Sequence, residues 1–155
     1  MTTPNHNNGV LTNGVQNGNG NGRNSPPGRP RTRGEVEAAL SRAFIQLEKE
    51  CTGRGPTETR TFLIEDVVLV RLKGVMTPAE IKLSGADQRG AYLIKQTRQE
   101  LTNVKRPQME DIVKDLLGAQ LRSLHTDICT RTGERVVVLS LDRRPEFAAE
   151  KGEAL

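Results

Sequence analysis

The pattern of apolar and polar positions predicts a helix over residues 35–51. Apolar residues recur there every three or four positions and leave one polar face, which is the spacing of an amphipathic helix. Glu35 and Glu37 lie in the first turn, where the helix dipole favours acidic side chains. Gly53 follows as a stop signal. The predicted apolar stripe consists of Val36, Ala39, Leu40, Ala43, Phe44, Leu47 and Cys51.

Two later blocks each have the pattern of a strand, a polar turn and a second strand. The first covers residues 59–73 and turns at Glu65–Asp66, and the second covers residues 120–141 and turns at Thr130–Glu134. Gly133 can supply the positive φ that a tight hairpin turn requires. The pattern therefore predicts two antiparallel hairpins.

Each hairpin contains an apolar run that does not alternate, Val67–Val70 in the first and Val136–Leu139 in the second. A strand with one solvent-exposed face should alternate apolar and polar residues. A continuous run is typical of a sheet that is covered on both faces. One layer of helices covers only one face, so we predict that a second subunit covers the other and that the protein is a homodimer.

Between the hairpins the pattern is helical again. Thr77 can cap a helix that begins at Pro78, and Glu80 completes a capping box. This short helix is expected to end near Ser84-Gly85, and a longer helical stretch runs over residues 87–117. Pro107 interrupts the stretch, which predicts either a kink or two helices. Its apolar stripe is predicted to include Leu93, Ile94, Thr97, Leu101, Val104, Ile112, Val113, Leu116 and Leu117.

The order α-β-β-α-α-β-β predicts an α+β fold, with a four-stranded antiparallel sheet from two hairpins and helices packed on one face. The first 34 residues contain eight Asn, seven Gly and only four apolar residues, so residues 1–34 are predicted to be a disordered Asn/Gly-rich tail. Residues 35–142 form the single predicted domain, and residues 143–155 form a polar C-terminal tail.

The net charge of +4 comes from the tail. Residues 1–34 hold four of the 23 basic residues and none of the 19 acidic ones, so the rest of the chain is neutral. Aromatic residues make up only 3% of the sequence. A nucleic-acid-binding domain usually has a basic face, and single-strand binders stack bases on aromatic rings. The sequence thus carries no strong nucleic-acid signal, although weak binding through the basic tail stays an alternative.

Candidate site residues are few. His125 is the only histidine in the predicted domain, and Asp127 lies two residues further, on the same face of a strand. With Ser123 they form either a ligand-binding group or an ordinary polar network, and the network is the favoured interpretation. At a dimer seam, Arg60 and Arg71 would be the basic residues that complete a pocket for a small ligand or anion.

A catalytic set is not evident. Cys129 and His125 are four residues apart on a strand, which separates them by about 13 Å, whereas a nucleophile and its base need contact near 3 Å. Cys51 ends an apolar stripe and is predicted to be a small core residue. No phosphate-binding or dinucleotide motif occurs, and no Cys-x-x-Cys pair occurs. We therefore predict no enzyme activity, no cofactor and no metal.

Gly53, Arg54 and Gly55 precede Pro56 and could form a small anion-binding loop through flexible backbone amides. The alternative is a helix stop followed by a linker, which is the favoured interpretation. No apolar run approaches the roughly 20 residues that a membrane-spanning helix needs. The sequence therefore predicts a soluble, cytoplasmic protein that can meet a membrane only peripherally, at the inner face of the plasma membrane.

Taken together, the segments RGEVEAALSRAFIQLEKECTGRGPTETRTFLIEDVVLVRLKGVMTPAE (residues 33–80) and SLHTDICTRTGERVVVLSL (residues 123–141) resemble the MpsC-like family. This is a family of small bacterial proteins long catalogued as a domain of unknown function. The G-R-G-P, V-L-V-R-L-x-G and S-L-H-T-D-I blocks, in this order, carry the resemblance. Cys129 departs from the serine expected at that position, which weakens the case for a catalytic cysteine.

The family takes its name from a Na+-translocating, membrane-potential-generating system, whose other members include an antiporter-like membrane subunit and a large partner linked to uptake of inorganic carbon. The resemblance implies a non-enzymatic accessory or regulatory protein of such a transport system, and it supplies no catalytic residues. The expected partner is a membrane transport subunit, met through the sheet or the helices. A regulatory domain that binds a small ligand or an anion is the main alternative.

Overall fold

The computed structural model describes residues 31–150 and residue 152, so most of the tail predicted at residues 1–34, namely residues 1–30, lies outside the described part. The first helix, α1, spans Arg33–Thr52 and begins two residues before the predicted start. Thr32 caps it, because its hydroxyl accepts from the Glu35 amide at 3.3 Å while the Glu35 carboxylate accepts from the Thr32 amide at 2.9 Å. Gly53 ends the helix with φ 74°.

Both predicted hairpins are present. The first joins β1 (Glu58–Ile64) to β2 (Val67–Lys73), and the second joins β3 (Leu121–Cys129) to β4 (Glu134–Leu141). Gly133 has φ 72°, as the turn requires, whereas at the first turn Glu65 takes φ 56° without being glycine.

The four strands form one antiparallel sheet in the order β1-β2-β4-β3. The hairpins therefore meet through their second strands, so β2 and β4 lie in the centre and β1 and β3 form the edges. With helices on one face, this confirms the predicted α+β class and the element order.

The core lies between the sheet and the helices. Val68, Val70, Val137 and Leu139 are completely buried on the helix side. The alternate residues of the same two runs, Val67, Leu69, Val136 and Val138, are only half-buried on the other side. The non-alternating runs thus reflect a sheet that is apolar on both faces, of which the described chain covers one.

We call the uncovered side the open face. It carries the residues that alternate with the buried ones along each strand. Its members are Glu58, Arg60, Phe62 and Ile64 of β1; Val67, Leu69, Arg71 and Lys73 of β2; Glu134, Val136, Val138 and Ser140 of β4; and Ser123, His125, Asp127 and Cys129 of β3.

The short helix α2 spans Pro78–Ala86 and has the predicted capping box between Thr77 and Glu80. It is followed by α3, a single helix over Gln88–Leu117. Pro107 lies inside α3 and is exposed, as is Asn103, whose carbonyl loses its helical partner. Solvent can hydrogen-bond that carbonyl, so the helix continues through the proline.

The buried face of α3 differs from the predicted stripe. Leu93, Thr97 and Val104 are exposed. The helix instead buries a row spaced by four, which includes Arg98 and Thr102, and then Met109 and Val113. The prediction followed the apolar residues, but two polar residues occupy the inward positions because they have partners inside the protein, described below. The residues of α3 that are buried are Gly90, Ile94, Arg98, Thr102, Met109 and Val113.

Beyond the predicted end of the domain, the chain returns to the start of α1. The Ala148 amide donates to the Arg31 carbonyl at 2.9 Å. Phe147 packs against the core, with the Arg33 guanidinium 5.9 Å from its ring centroid. These contacts tie residues 143–148 to the domain, so a polar sequence there does not mean a detached tail.

Candidate functional site

The five predicted ligand residues all occupy open-face positions of their strands, but the Asp127 carboxylate turns round the edge of β3 to reach Lys95 of α3. Ser123, His125 and Asp127 follow one another along β3, while Arg71 lies on β2 and Arg60 on β1. Arg71 is two strands from β3 and Arg60 is three, or roughly 10 Å and 14 Å at the usual strand spacing. Within one chain these residues share a surface, but they do not form one pocket.

Their charged groups have other partners. The Asp127 carboxylate accepts from Lys95 Nζ at 2.7 Å and from the Ile128 amide at 2.8 Å. These two bonds hold the pKa of the Asp127 carboxyl below its usual range. The Arg71 guanidinium bonds Glu134 at 2.7 Å, and the Arg60 guanidinium bonds Glu58 at 3.0 Å. Asp127 is therefore engaged by a lysine of α3, and no hydrogen bond to His125 is formed.

The two cysteines have opposite environments. Burial raises the pKa of the half-buried Cys51 thiol. The exposed Cys129 has its thiol pKa lowered by hydrogen bonds from the Thr132 side chain and amide and from the Arg131 amide. Cys129 and His125 lie in line on β3, four residues apart, which is the spacing that places them about 13 Å apart on a regular strand. In residues 31–150 and 152 no three His, Cys, Asp or Glu side chains gather as metal ligands would.

In the loop after α1, backbone amides donate hydrogen bonds to other groups of the same chain. The Gly53 amide donates to the Lys49 carbonyl at 2.8 Å, and the Arg54 amide donates to the Thr52 hydroxyl at 3.4 Å. At Gly55 a β-carbon would lie 2.8 Å from the Lys49 side chain. Helix termination thus accounts for the Gly-Arg-Gly sequence, and two of the amides that an anion would need already have acceptors.

A buried charge network, which the sequence analysis did not predict, lies between the helices and the sheet. At its centre is Glu48 of α1, whose side chain is completely buried. One carboxylate oxygen accepts from Arg98 of α3, and the other accepts from Arg135 of β4 at 2.7 Å. One acid therefore bridges two guanidiniums from different elements.

Arg98 links three elements. Its Nε and Nη2 atoms each donate to one oxygen of Glu80 at 2.8 Å, a bidentate arrangement that fixes α2 against α3. Nη2 also donates to the Val75 carbonyl at 2.7 Å. Burial disfavours the charged form of Arg98, but the bonds to Glu80 and Glu48 outweigh it and raise the pKa of the guanidinium.

Burial and hydrogen bonding also have opposite effects on the pKa of Glu80. Burial raises the pKa of its carboxyl, yet hydrogen bonds from Arg98 and Thr77 outweigh this and hold the pKa below its ordinary value. Arg135 completes the network by donating to the Thr126 hydroxyl at 3.1 Å and the Thr102 hydroxyl at 2.9 Å. The two arginines balance the two glutamates, so the network is neutral as well as extensively hydrogen-bonded, as buried charges must be.

A cavity of about 120 Å³ opens beside this network. Arg98 and Arg135 form its inner wall, and Lys95 and Asp127 stand at its rim. The cavity is lined by Lys95, Arg98, Gln99, Thr126, Asp127, Ile128 and Arg135.

A second surface feature lies where α2 packs on α3. None of the residues of α2 is buried, and Ile81 and Leu83 are exposed. Tyr92 and Leu93 at the start of α3 are exposed too. The helices approach closely at Gly90, where a β-carbon would lie 2.0 Å from the Leu83 carbonyl oxygen. We call these four exposed apolar residues the α2–α3 corner.

The sequence does contain a signal for this network. Glu48 is four residues after Phe44, so it falls on the apolar face of α1, and Arg98 is four residues after Ile94 on α3. Arg135 begins the buried alternation of β4. A charged residue at each inward position indicates a buried polar network, but the partners could not be assigned before the fold was known.

Comparison with known proteins gives two matches. The family model described as "Na+-translocating membrane potential-generating system (MpsC)" matches residues 32–143, which is more than half of the chain. The chain is also 38% identical over 121 residues to a Bacillus subtilis (strain 168) protein named "Uncharacterized protein YbcI", covering 78% of this chain and 97% of that protein. No solved structure matches.

Proposed function

The chain belongs to the MpsC family, and from this membership we propose that it is a non-enzymatic accessory protein of a Na+-translocating, membrane-potential-generating system of bacteria. The family match over residues 32–143 is the observation that carries the proposal, because it takes in every helix and strand from α1 to β4. Handling of inorganic carbon by the same system is part of the proposal.

The proposed contact with the membrane system is peripheral. None of the helices in the described residues has the length and apolar character needed to cross a membrane. We propose that such a peripheral accessory protein docks on the cytoplasmic side of a membrane subunit. The proposed site of action is thus the inner face of the plasma membrane.

The α2–α3 corner is the docking surface we propose for the membrane subunit. Ile81 and Tyr92 are 55% and 58% exposed, more than a core helix would leave its large apolar side chains. The bidentate bond between Arg98 and Glu80 and the close approach at Gly90 hold the two helices in one arrangement. A rigid apolar surface loses little conformational freedom on binding, which favours affinity.

Replacing Ile81 and Tyr92 together with aspartate is expected to reduce capture of the antiporter-like membrane subunit by about tenfold or more, because charges would replace the apolar centre of the contact. The measurement is affinity purification of the tagged protein from gently solubilised native cells, with quantitative mass spectrometry. Val104→Asp is the matched control, since Val104 is 71% exposed on α3 but lies 14 residues, or about 21 Å, from Gly90.

Capture of the membrane subunit by the unaltered protein and by the Val104 variant, with loss in the double variant, would support the proposal. Equal capture by all three would contradict the assignment of the α2–α3 corner. If the unaltered protein recovers no membrane subunit under these conditions, the accessory function itself is wrong.

Binding of a small anion is the second candidate function, and the cavity beside Arg98 and Arg135 is the observation that favours it. Lys95, Arg98 and Arg135 line the cavity. Glu48 and Glu80 already pair with the two arginines and Asp127 pairs with Lys95, so a bound anion would share these basic groups with the carboxylates. Thr126 adds a hydroxyl. Oxyanions such as phosphate and bicarbonate bind best where several charged donors converge at a partly enclosed site.

Inorganic phosphate or bicarbonate at 100 times its dissociation constant is expected to stabilise the protein by about 2.7 kcal/mol, because the ligand binds only the folded state. Thermal unfolding against chloride of equal ionic strength measures this. Lys95→Gln is expected to abolish the shift, whereas Lys82→Gln, at an exposed residue of α2, should keep it. An unchanged melting temperature across both anions would count against the site.

Nucleic-acid binding through the basic tail stays an untested alternative. Arg23 and Arg29 lie outside the described residues, and of the other two tail arginines Arg33 is already part of α1. No feature of the described surface favours this function over the other two.

A further inference from the structure

The open face is organised in rows that cross all four strands. One row reads His125, Val138, Leu69 and Phe62 from β3 to β1, because these residues are register partners of one another. The next row towards the β3–β4 turn reads Asp127, Val136, Arg71 and Arg60. The first row is mostly apolar, and the second is acidic at the β3 edge and basic at the β1 edge.

This face leaves large apolar side chains uncovered. Phe62 is 41% exposed and Ile64 is 56% exposed, while Leu69 and Val138 in the centre are half-buried. Apolar residues that adjoin one another on a sheet face are typical of a surface that another layer covers at about 10 Å, as in a β-sandwich. The α-helices of the described chain all lie on the other side.

The strand order makes the face complementary to itself. In the order β1-β2-β4-β3, a two-fold axis that runs parallel to the strands between β2 and β4 places β2 opposite the second copy's β4 and β1 opposite its β3. Each row of one copy then faces the same row of the second copy, read in the opposite direction. Leu69 meets the second copy's Val138, and Phe62 meets the second copy's His125, so the apolar row is buried against itself.

The charged row selects this axis. Reversal of the row brings Arg60 of one copy against Asp127 of the other, and the pair occurs twice because the contact is symmetric. A two-fold axis perpendicular to the strands would instead place β1 against β1 and turn the charged row towards the row of Ile64 and Val67. Both Arg60 and Arg71 would then face apolar side chains, whereas the axis parallel to the strands leaves only Arg71 against an apolar residue, Val136, and Arg71 keeps Glu134 as its partner.

We propose that a second copy of this chain covers the open face in an aligned, face-to-face sandwich whose two-fold axis runs parallel to the strands between β2 and β4. Arg60 leaves Glu58, and the exposed Asp127 carboxylate turns from Lys95 at the edge of β3 to the open face, so that the two side chains pair across the seam. His125 is thereby enclosed between the subunits, beside the second copy's Phe62. In this arrangement Arg60 of one chain meets Asp127 of the other, whereas within one chain these two residues are three strands apart.

The first test is Leu69→Glu, which places a carboxylate at the centre of the open face. Sedimentation equilibrium at micromolar concentration should give a dimer for the unaltered protein and a monomer for the variant. Val104→Glu is the matched control, because Val104 is an exposed apolar residue of α3 and should leave the dimer intact. A monomeric unaltered protein, or a dimeric Leu69 variant, would overturn the proposal.

Charge reversal tests the axis and remains decisive if the Leu69 variant fails to fold. Arg60→Asp and Asp127→Arg should each raise the dimer dissociation constant by at least about tenfold, since each sets like charges against one another. The double variant should return to within about threefold of the unaltered protein, because the pair is restored in reverse. Arg89→Asp, on the exposed surface of α3, should change nothing. A double variant as weak as either single one would show that the axis is wrong.

Discussion

Replacing Glu48 with glutamine is expected to destabilise the protein by about 3–5 kcal/mol, the typical cost of removing one member of a buried ion pair. The Glu48 carboxylate accepts from both Arg98 and Arg135, and its side chain has no exposed surface. An amide of the same size keeps the volume but removes the charge. Its NH2 group also faces a guanidinium that has only donors.

Chemical unfolding at neutral pH measures this loss, and Glu50→Gln is the matched control. Glu50 lies on the same helix and pairs with Lys105 at 3.0 Å, but in solvent, so its replacement should change stability little. Equal unfolding midpoints for the two variants would mean that Glu48 does not hold the network. Replacing Glu48 and Arg135 together with apolar residues should restore much of the stability, since Arg98 keeps Glu80 and no buried charge is then left unpaired.

The same network makes stability depend on pH in one direction. The pKa of Glu80 is lower in the folded protein, so the folded state binds fewer protons than the unfolded state as the pH falls. The stabilisation from Glu80 is therefore complete well above the unfolded pKa of about 4.3 and is lost as the pH falls through the folded value.

Replacing Gly90 with alanine is expected to cost about 1–3 kcal/mol, as overpacking usually does. A β-carbon at this position would lie 2.0 Å from the Leu83 carbonyl oxygen and 2.8 Å from the Leu83 carbonyl carbon. Both are backbone atoms, so they cannot rotate away as a side chain can. The two helices must separate, which also strains the bond between Glu80 and Arg98 and displaces the α2–α3 corner.

Gly85→Ala is the matched control for Gly90, because a β-carbon there meets nothing within 4 Å. Helix propensity alone should make that variant more stable by roughly 0.5–1 kcal/mol. The two alanines therefore have opposite expected signs, which unfolding midpoints resolve. An unchanged midpoint for Gly90→Ala would indicate that α2 moves freely against α3, and the α2–α3 corner would then not be a rigid surface.

The helix and strand positions were largely predictable from the sequence because their signals are local. The capping box of Thr77 and Glu80 begins α2 as predicted, and Gly53 and Gly133 take the positive φ values expected of them. The two non-alternating apolar runs predicted a sheet that is covered on both faces, and the helices of the described chain cover one of them. What covers the second side stays a prediction until the oligomeric state is measured.

The candidate site was less predictable. Alternation alone places the backbone positions of Ser123, His125 and Asp127 on one face of β3, but it does not show that the Asp127 carboxylate turns to Lys95 of α3. Their distance from Arg60 depends on strand order, and hairpins do not encode which of their strands will meet. The predicted apolar stripe of α3 left out Arg98 for a related reason: its partner Glu48 lies 50 residues earlier in the chain, so the sequence near Arg98 gives no sign of it.

The sequence by itself thus determined the elements, their turns and the fold class, because backbone propensity and side-chain period act over a few residues. Only the tertiary structure decided the strand order β1-β2-β4-β3, the charge network around Glu48 and the rows of the open face. Glu48 and Arg135 are 87 residues apart. Contacts at that separation depend on how the two hairpins and the helices pack, and a buried charge is tolerated only once that packing supplies its partners.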